Sequence, residues 1–253
     1  MLFLIGTGIS KNGLTIEAID ICKRSKTVFF DNYTSHINDI TMEYLSKNNI
    51  IPKQLARAAL EEQIDTLLLQ AKDDDVSVLI GGDPMLATTH KIIQIRAYSL
   101  KIPVTVIHAG SIMNALMGES GLDFYRFGKI ATITRWSQNY KPISFYDSII
   151  INSKNDMHTI LLCDFDSTKN ESIPLSEALL YITNAEEQKQ LGFLDEDKKI
   201  IIFHNVGLIG EKRVFCSIKE AKKLQMDLGM HAIIVPSRTS QLEIEMLNVL
   251  YGR

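Results

Sequence analysis

Cysteine is scarce in this 253-residue chain: Cys22, Cys163 and Cys216 are odd in number, widely spaced and without a C-x-x-C pair. That pattern excludes a disulfide framework and a zinc knuckle, and it predicts buried thiols in a reducing compartment. An excess of either charge is also missing. With 27 Lys+Arg against 30 Asp+Glu the net charge is -3, which offers no global attraction to nucleic acid or anionic lipid. The apolar opening Met1–Ile5 ends at Gly6 with no basic segment before it, so neither a signal peptide nor a membrane span is expected, and cytoplasmic residence follows. The six histidines, His36, His90, His108, His158, His204 and His231, show no H-x-x-x-H or H-E-x-x-H spacing, and no metal site is expected. A G-x-S-x-G elbow and a P-loop are absent too, which argues against a hydrolase triad and a nucleoside triphosphatase.

What is present is the composition of an ordinary globular protein, 45% hydrophobic and 23% charged with 14 Gly and 6 Pro. Its length suggests two domains. Apolar runs of strand length alternate with helical patterns, the signature of α/β folds with largely parallel sheets. Strands are expected at Leu2–Ile5, Thr27–Phe30, Val76–Ile80 and Val104–His108, then at Ile130–Thr134, Thr159–Cys163, Ile200–His204 and Ala232–Val235. Ile64, Leu67, Leu68 and Ala71 recur at helical spacing behind Glu61, Glu62 and Asp65, acidic residues that suit a helix start. Further helices are expected at Ala87–Leu100, where Ile92, Ile93, Ile95 and Ala97 suggest burial, and at Leu175–Leu191 and Ser240–Tyr251. Ser167–Ser172 and Gly192–Lys198 read as solvated polar loops. Two α/β lobes follow, 1–110 and 111–253.

Chemistry is sought at the carboxyl ends of the strands. Gly6-Thr7-Gly8 follows the first strand, where α/β proteins present backbone N–H groups to ligands. A dinucleotide fingerprint would need a small residue where Lys11 stands, yet Asp31 closes the second strand at a distance suited to a ribose, so a nicotinamide-binding protein is a rival reading. The third strand runs into Gly81-Gly82-Asp83-Pro84: the glycines admit a flat ligand, Asp83 offers acceptors and Pro84 fixes φ. Asp83 serving only as a turn residue is the competing possibility. His108-Ala109-Gly110-Ser111-Ile112 forms a second small-residue turn. For each histidine, His108 and His204 in particular, a structural role is expected.

These segments together resemble the diphthine synthase family of tetrapyrrole methylases. The resemblance is carried by Leu4-Ile5-Gly6-Thr7-Gly8, Tyr33-Thr34-Ser35, Gly82-Asp83-Pro84 with Ala87-Thr88-Thr89-His90, Ile107-His108-Ala109 with Ser111-Ile112, Phe127-Gly128-Lys129, His158-Thr159, and His231 leading into Ile234-Val235-Pro236. It implies a two-lobed α/β homodimer of mixed, largely parallel sheets with S-adenosylmethionine in the cleft between lobes. It also implies methylation of a 3-amino-3-carboxypropyl-histidine on translation elongation factor 2, with S-adenosylhomocysteine as product and no metal. Cofactor contacts carried over by position fall on Ile9, Asp83, Leu86, Ser111 and Ile112, and in the second lobe on Cys163, Val206 and His231. The chain departs from the family pattern at Ile80-Gly81, Gly110 and His204-Asn205-Val206. No general base is nominated. A methylase for a tetrapyrrole precursor and a non-catalytic module that binds elongation factor are the alternatives.

Overall fold

The computed structural model describes residues 1–31, 37, 39–55, 64–87, 90–166 and 171–252. It comprises two compact units, Met1–Met113 and Asn114–Arg253. The first is built on a wholly parallel sheet of β1 (Leu2–Gly6), β2 (Thr27–Asp31), β3 (Lys53–Leu55), β4 (Val76–Ile80) and β5 (Val104–Ile107), in the order β3-β2-β4-β1-β5. β1 and β4 are buried along their whole length, as their largely apolar character requires of central parallel strands covered on both faces; the one polar residue inside β4, buried Ser77, shares a hydrogen bond with the Ser25 hydroxyl. Alternate residues of β1 serve opposite layers. Phe3 and Ile5 pack with Ala18, Ile21 and Cys22 of α1 (Ile16–Arg24) and with Leu45 of α2 (Asp39–Lys47). Leu2 and Leu4 pack with Leu67, Leu68 and Ala71 of α3 (Ile64–Asp73) and with Ile93 and Ala97 of α4 (Lys91–Ser99).

α3 bears out the helical spacing seen in the sequence, with Asp65 in its first turn; Glu61 and Glu62 lie outside the described residues. α4 is shorter than expected, and Ala87 sits at φ 54° outside it. Its expected burial is half right. Ile93 and Ala97, four apart, face the sheet, whereas Ile92 and Ile95 are 64% and 69% exposed, because one helix face cannot hold all four.

In the second unit β6 (Ala131–Ile133), β7 (Thr159–Cys163), β10 (Lys199–His204), β11 (Lys212–Ser217) and β12 (His231–Val235) form a mixed sheet in the order β11-β10-β12-β7-β6. Only β6 and β7 pair in parallel; the other three pairings are antiparallel. A separate antiparallel pair is formed by β8 (Phe165–Asp166) and β9 (Glu171–Ser172); β9 falls within the stretch Ser167–Ser172 expected to be a loop, of which 167–170 lie outside the described residues. Ile200, Ile202, Ile233, Val235 and Leu161 pack against α6 (Ser144–Ser153) and α7 (Leu175–Lys189). The Gly192–Lys198 loop is anchored: Glu186 accepts the backbone N–H groups of Gly192, Phe193 and Leu194, and Leu194 is buried. Two capping boxes fix later helix starts, Ser217 with Glu220 on α8 (Ile218–Ala221) and Ser240 with Glu243 on α9 (Gln241–Tyr251). α5 (Ile112–Glu119) carries the chain from the first unit into the second.

Candidate active site

The first unit concentrates small residues where the central strands end. β1 continues through α1 on the Phe3 face, while its neighbour β4 continues through α4 on the Leu2 face. Adjacent strands whose connections leave to opposite faces open a crevice at their carboxyl ends, where open α/β sheets bind ligands. The loops there are locked together. Gly8 and Gly82 exchange two backbone hydrogen bonds of 3.1 Å, each glycine at φ 71°. A Cβ on Gly6 would lie 2.6 Å from the Gly82 carbonyl oxygen and 2.8 Å from Ala109 Cβ, so glycine is what lets the loops after β1, β4 and β5 converge. In contrast, a Cβ on Gly110 would meet nothing within 4 Å, leaving open backbone beside the junction.

Asp83 sits at this junction. Its carboxylate is 6% exposed and accepts from the backbone N–H of Met85 at 2.9 Å and of Ala109 at 3.4 Å, while Oδ2 meets Nδ1 of His108 at 2.7 Å. It is therefore more than a turn residue. His108, for which a structural role was expected, is held by Asp83 with a side chain that is 71% exposed. Ser111 is buried and its hydroxyl accepts the N–H of Met113 at the start of α5. Of the nominated residues, Ile9, Asp83, Leu86 and Ser111 fall on these three loops, with Leu86 exposed, and Ile112 opens α5 directly after the third. Thr88 and Thr89 lie outside the described residues, as do Tyr33, Thr34, Ser35 and His36.

Asp31 is fully buried and pairs with the equally buried His90, Oδ2 to Nε2 at 3.0 Å. A carboxylate so enclosed does not meet a ribose, which removes the sequence feature behind the nicotinamide reading.

The remaining nominated residues lie at one end of the inner strands of the second sheet or just beyond it. His231 opens β12 directly opposite His204, the last residue of β10, and Cys163 ends β7 one step beyond the Ala232–Leu162 pair. Val206 follows two residues after His204. The two rings meet at 3.0 Å, Nδ1 of His204 to Nε2 of His231. Burial lowers both pKa values, helped by Lys212 at His204 and by His204 itself at His231, so the pair is neutral near pH 7. Burial pushes the Cys163 thiol up to about 12, which rules it out as a thiolate nucleophile.

Two further motifs prove to be scaffold. His158 is buried, its Nε2 meets Glu243 Oε1 at 2.8 Å, and its Nδ1 accepts the N–H of Ser237 at 3.0 Å. Glu243 also accepts from Ser240, Asp123 and the Arg126 guanidinium. Asn152 bridges the Lys129 backbone to the Thr159 hydroxyl, and a Cβ on Gly128 would overlap its amide. Phe127-Gly128-Lys129 and His158-Thr159 thus join the turn before β6 to the start of β7. Among the described residues no cluster of three His, Cys, Asp or Glu could hold a metal ion, and no helix is long and apolar enough to cross a membrane.

Comparison with known proteins agrees with this geometry. The profile of the tetrapyrrole (corrin/porphyrin) methylases matches residues 1–222. Diphthine synthase of Methanocaldococcus jannaschii is 31% identical, over 99% of this chain and 98% of that protein. The chain belongs to the diphthine synthase family of tetrapyrrole methylases. Diphthine synthase of Methanococcus maripaludis is 30% identical over 99% of both chains. A crystal structure from Entamoeba histolytica, assigned provisionally as a diphthine synthase, superposes with a TM-score of 0.89 at 28% identity over 100% of this chain and 99% of that one. The methylase is accordingly an S-adenosylmethionine-dependent methyltransferase of diphthamide biosynthesis. Sequence reasoning passed over the pairing of Asp83 with His108, for which a histidine closing the expected strand Val104–His108 was the available signal; the observed strand ends one residue earlier, at Ile107.

Proposed function

We propose that this methyltransferase binds S-adenosylmethionine on the loops that follow β1, β4 and β5 and methylates the amine of a 3-amino-3-carboxypropyl-histidine on elongation factor 2. The observation that carries this reading is the glycine-locked junction of Gly6, Gly8 and Gly82, which leaves open backbone at Gly110 and a buried carboxylate at Asp83. These residues fit the group. Bare glycine backbone admits a flat adenosine, and Asp83 has about four lone-pair positions, of which Met85, Ala109 and His108 take three. Ile9, Leu86, Ser111 and Ile112 are proposed to line the same loops, and Cys163, Val206 and His231 to be further contacts on the strength of the family resemblance.

When bound, S-adenosylmethionine supplies an electrophilic methyl group on a sulfonium. What the protein must do is hold donor and amine at attacking distance, exclude competing water and take up a proton, because positioning supplies much of the acceleration in such a displacement. Methylation of one nitrogen ends at three, since the quaternary ammonium has no lone pair. A cytoplasmic homodimer acting on the elongation factor completes the reading.

Calorimetry with S-adenosylhomocysteine and mass spectrometry of the elongation factor test it. Binding is expected without added metal, and methyl groups are expected only on factor that already carries the aminocarboxypropyl group. Equal labelling of unmodified factor would overturn the acceptor assignment, and absence of binding would overturn the cofactor site.

A further inference from the structure

We propose that His108 is the catalytic proton acceptor of this methyltransferase and that Asp83 holds its ring in the accepting tautomer. The proposal deepens the reading above and rests on an aliphatic amine being the acceptor. An ionised carboxylate has no proton to give, so the 2.7 Å bond between Asp83 Oδ2 and His108 Nδ1 carries its hydrogen on the histidine nitrogen. In the neutral ring the lone pair then resides on Nε2, the nitrogen away from Asp83. Asp83 is itself fixed by the backbone N–H groups of Met85 and Ala109. This is a base with an orienting partner, the arrangement expected of a general base in an active site.

The other described histidines lack this combination. His90 is enclosed with Asp31, both ring nitrogens of His158 are committed, and His204 and His231 are buried against each other. His108 alone among them joins a carboxylate partner to a side chain that is 71% exposed. It also stands in the right place, one residue beyond β5 and two before the open backbone of Gly110, on the loops assigned to the cofactor.

The chemistry balances. The acceptor arrives as an ammonium, its proton moves to Nε2 of His108, and the electron pair of the broken N–H bond stays on the amine nitrogen. That pair forms the N–CH3 bond as the S–CH3 bond breaks, its electrons remaining on sulfur as a neutral thioether. The imidazolium returns its proton to solvent. The methylated ammonium loses a proton in the same way before the next transfer, so three methyls release three protons.

His108→Ala and His108→Gln test the assignment, assayed on elongation factor bearing the aminocarboxypropyl-histidine from about pH 6 to about pH 9.5. Both variants should bind S-adenosylhomocysteine as the parent does, yet lose about 100-fold in kcat near neutral pH, the lower range for a lost general base. The deficit should shrink as pH rises, because the amine then gives its proton to water unaided, and added imidazole should restore part of the rate to His108→Ala. Nitrogen-15 chemical shifts of the parent should place the proton of neutral His108 on Nδ1. Unchanged rates at every pH, an equal loss at every pH accompanied by weaker S-adenosylhomocysteine binding, or a proton on Nε2 would each overturn the role of His108 while leaving the proposed function standing. A parent protein that neither binds S-adenosylhomocysteine nor methylates the factor would overturn both.

Discussion

His108 meets Asp83 at 2.7 Å in the first unit, and His158 meets Glu243 at 2.8 Å in the second. Distance and chemistry are nearly the same, but the surroundings are not. Around Glu243 every neighbour is a donor already in place: His158, Arg126 and the N–H groups of Asp123 and Ser240. The second nitrogen of His158 is taken by Ser237, and the ring is wholly enclosed. Such a pair can only hold its elements together. The Asp83–His108 pair spends one ring nitrogen and leaves the other side of an exposed ring open, so the same two groups can hand a proton to something outside. Burial of the histidine and the fate of its second nitrogen, not the length of the pair, separate scaffold from chemistry.

Removing the carboxylate at each place should show the contrast at its largest. Glu243→Ala strands a buried histidine, a guanidinium and two backbone donors, and should destabilise the protein by about 3–5 kcal/mol in urea unfolding; a loss below about 1 kcal/mol would mean that water replaces the carboxylate. Asp83→Ala should weaken S-adenosylhomocysteine binding by about 1–3 kcal/mol, the range for an unpaired polar group in a desolvated site. Asp83→Asn should cost less if the group mainly accepts hydrogen bonds. Should both variants bind normally and melt lower by equal amounts, Asp83 belongs with Glu243 as scaffold.

Acid should distinguish the pairs more gently. Burial holds the His158 ring below the usual imidazole value despite Glu243, so the folded protein keeps it neutral where the unfolded chain takes up a proton. The unfolded state then binds more protons, and stability falls as pH drops below about 6.5 toward the folded value. His204 and His231 act in the same direction. Burial alone would raise Glu243, but the N–H groups of Ser240 and Asp123 and the His158 ring outweigh it and bring it to about 2, so its contribution is present above about 4.5 and is lost as pH falls toward 2. Urea midpoints measured from pH 7.5 downward should fall in these two stages, and His158→Gln should flatten the first. The smallest effect belongs to His108→Ala, which removes an exposed ring and should change unfolding free energy by less than about 0.5 kcal/mol. A larger loss would make His108 a structural residue.

Much of the fold is legible along the chain. Leu2–Ile5, Val76–Ile80 and Thr159–Cys163 are strands because short, mainly apolar runs of that length are buried in a sheet, and Ile64 to Ala71 is helical because its apolar residues recur every three to four positions. Other signals were present but local. Thr15 caps α1, and Ser217 and Ser240 open S-x-x-E boxes whose reciprocal bonds the structure contains. β3 is three residues long with two exposed, and β11 begins with exposed Lys212 and Arg213, so these edge strands carry little apolar signature. The sheets also diverge in a way that residue patterns do not announce. Both read as apolar strands alternating with helices, yet the first is entirely parallel and the second largely antiparallel. Period and burial are similar for either pairing, and only the path of the connections decides it.

The candidate site divides along the same line. Glycine at positions 6, 8 and 82 and aspartate at 83 are choices written into the chain, because their backbone freedom and charge are properties of single residues. Which carboxylate meets which histidine is not such a property. Asp31 pairs with a residue 59 positions on, Asp83 with one 25 on and His158 with one 85 on. A side chain's partner, its exposure and the tautomer it adopts come from atoms brought together across the sheets, and those exist only once the chain has folded.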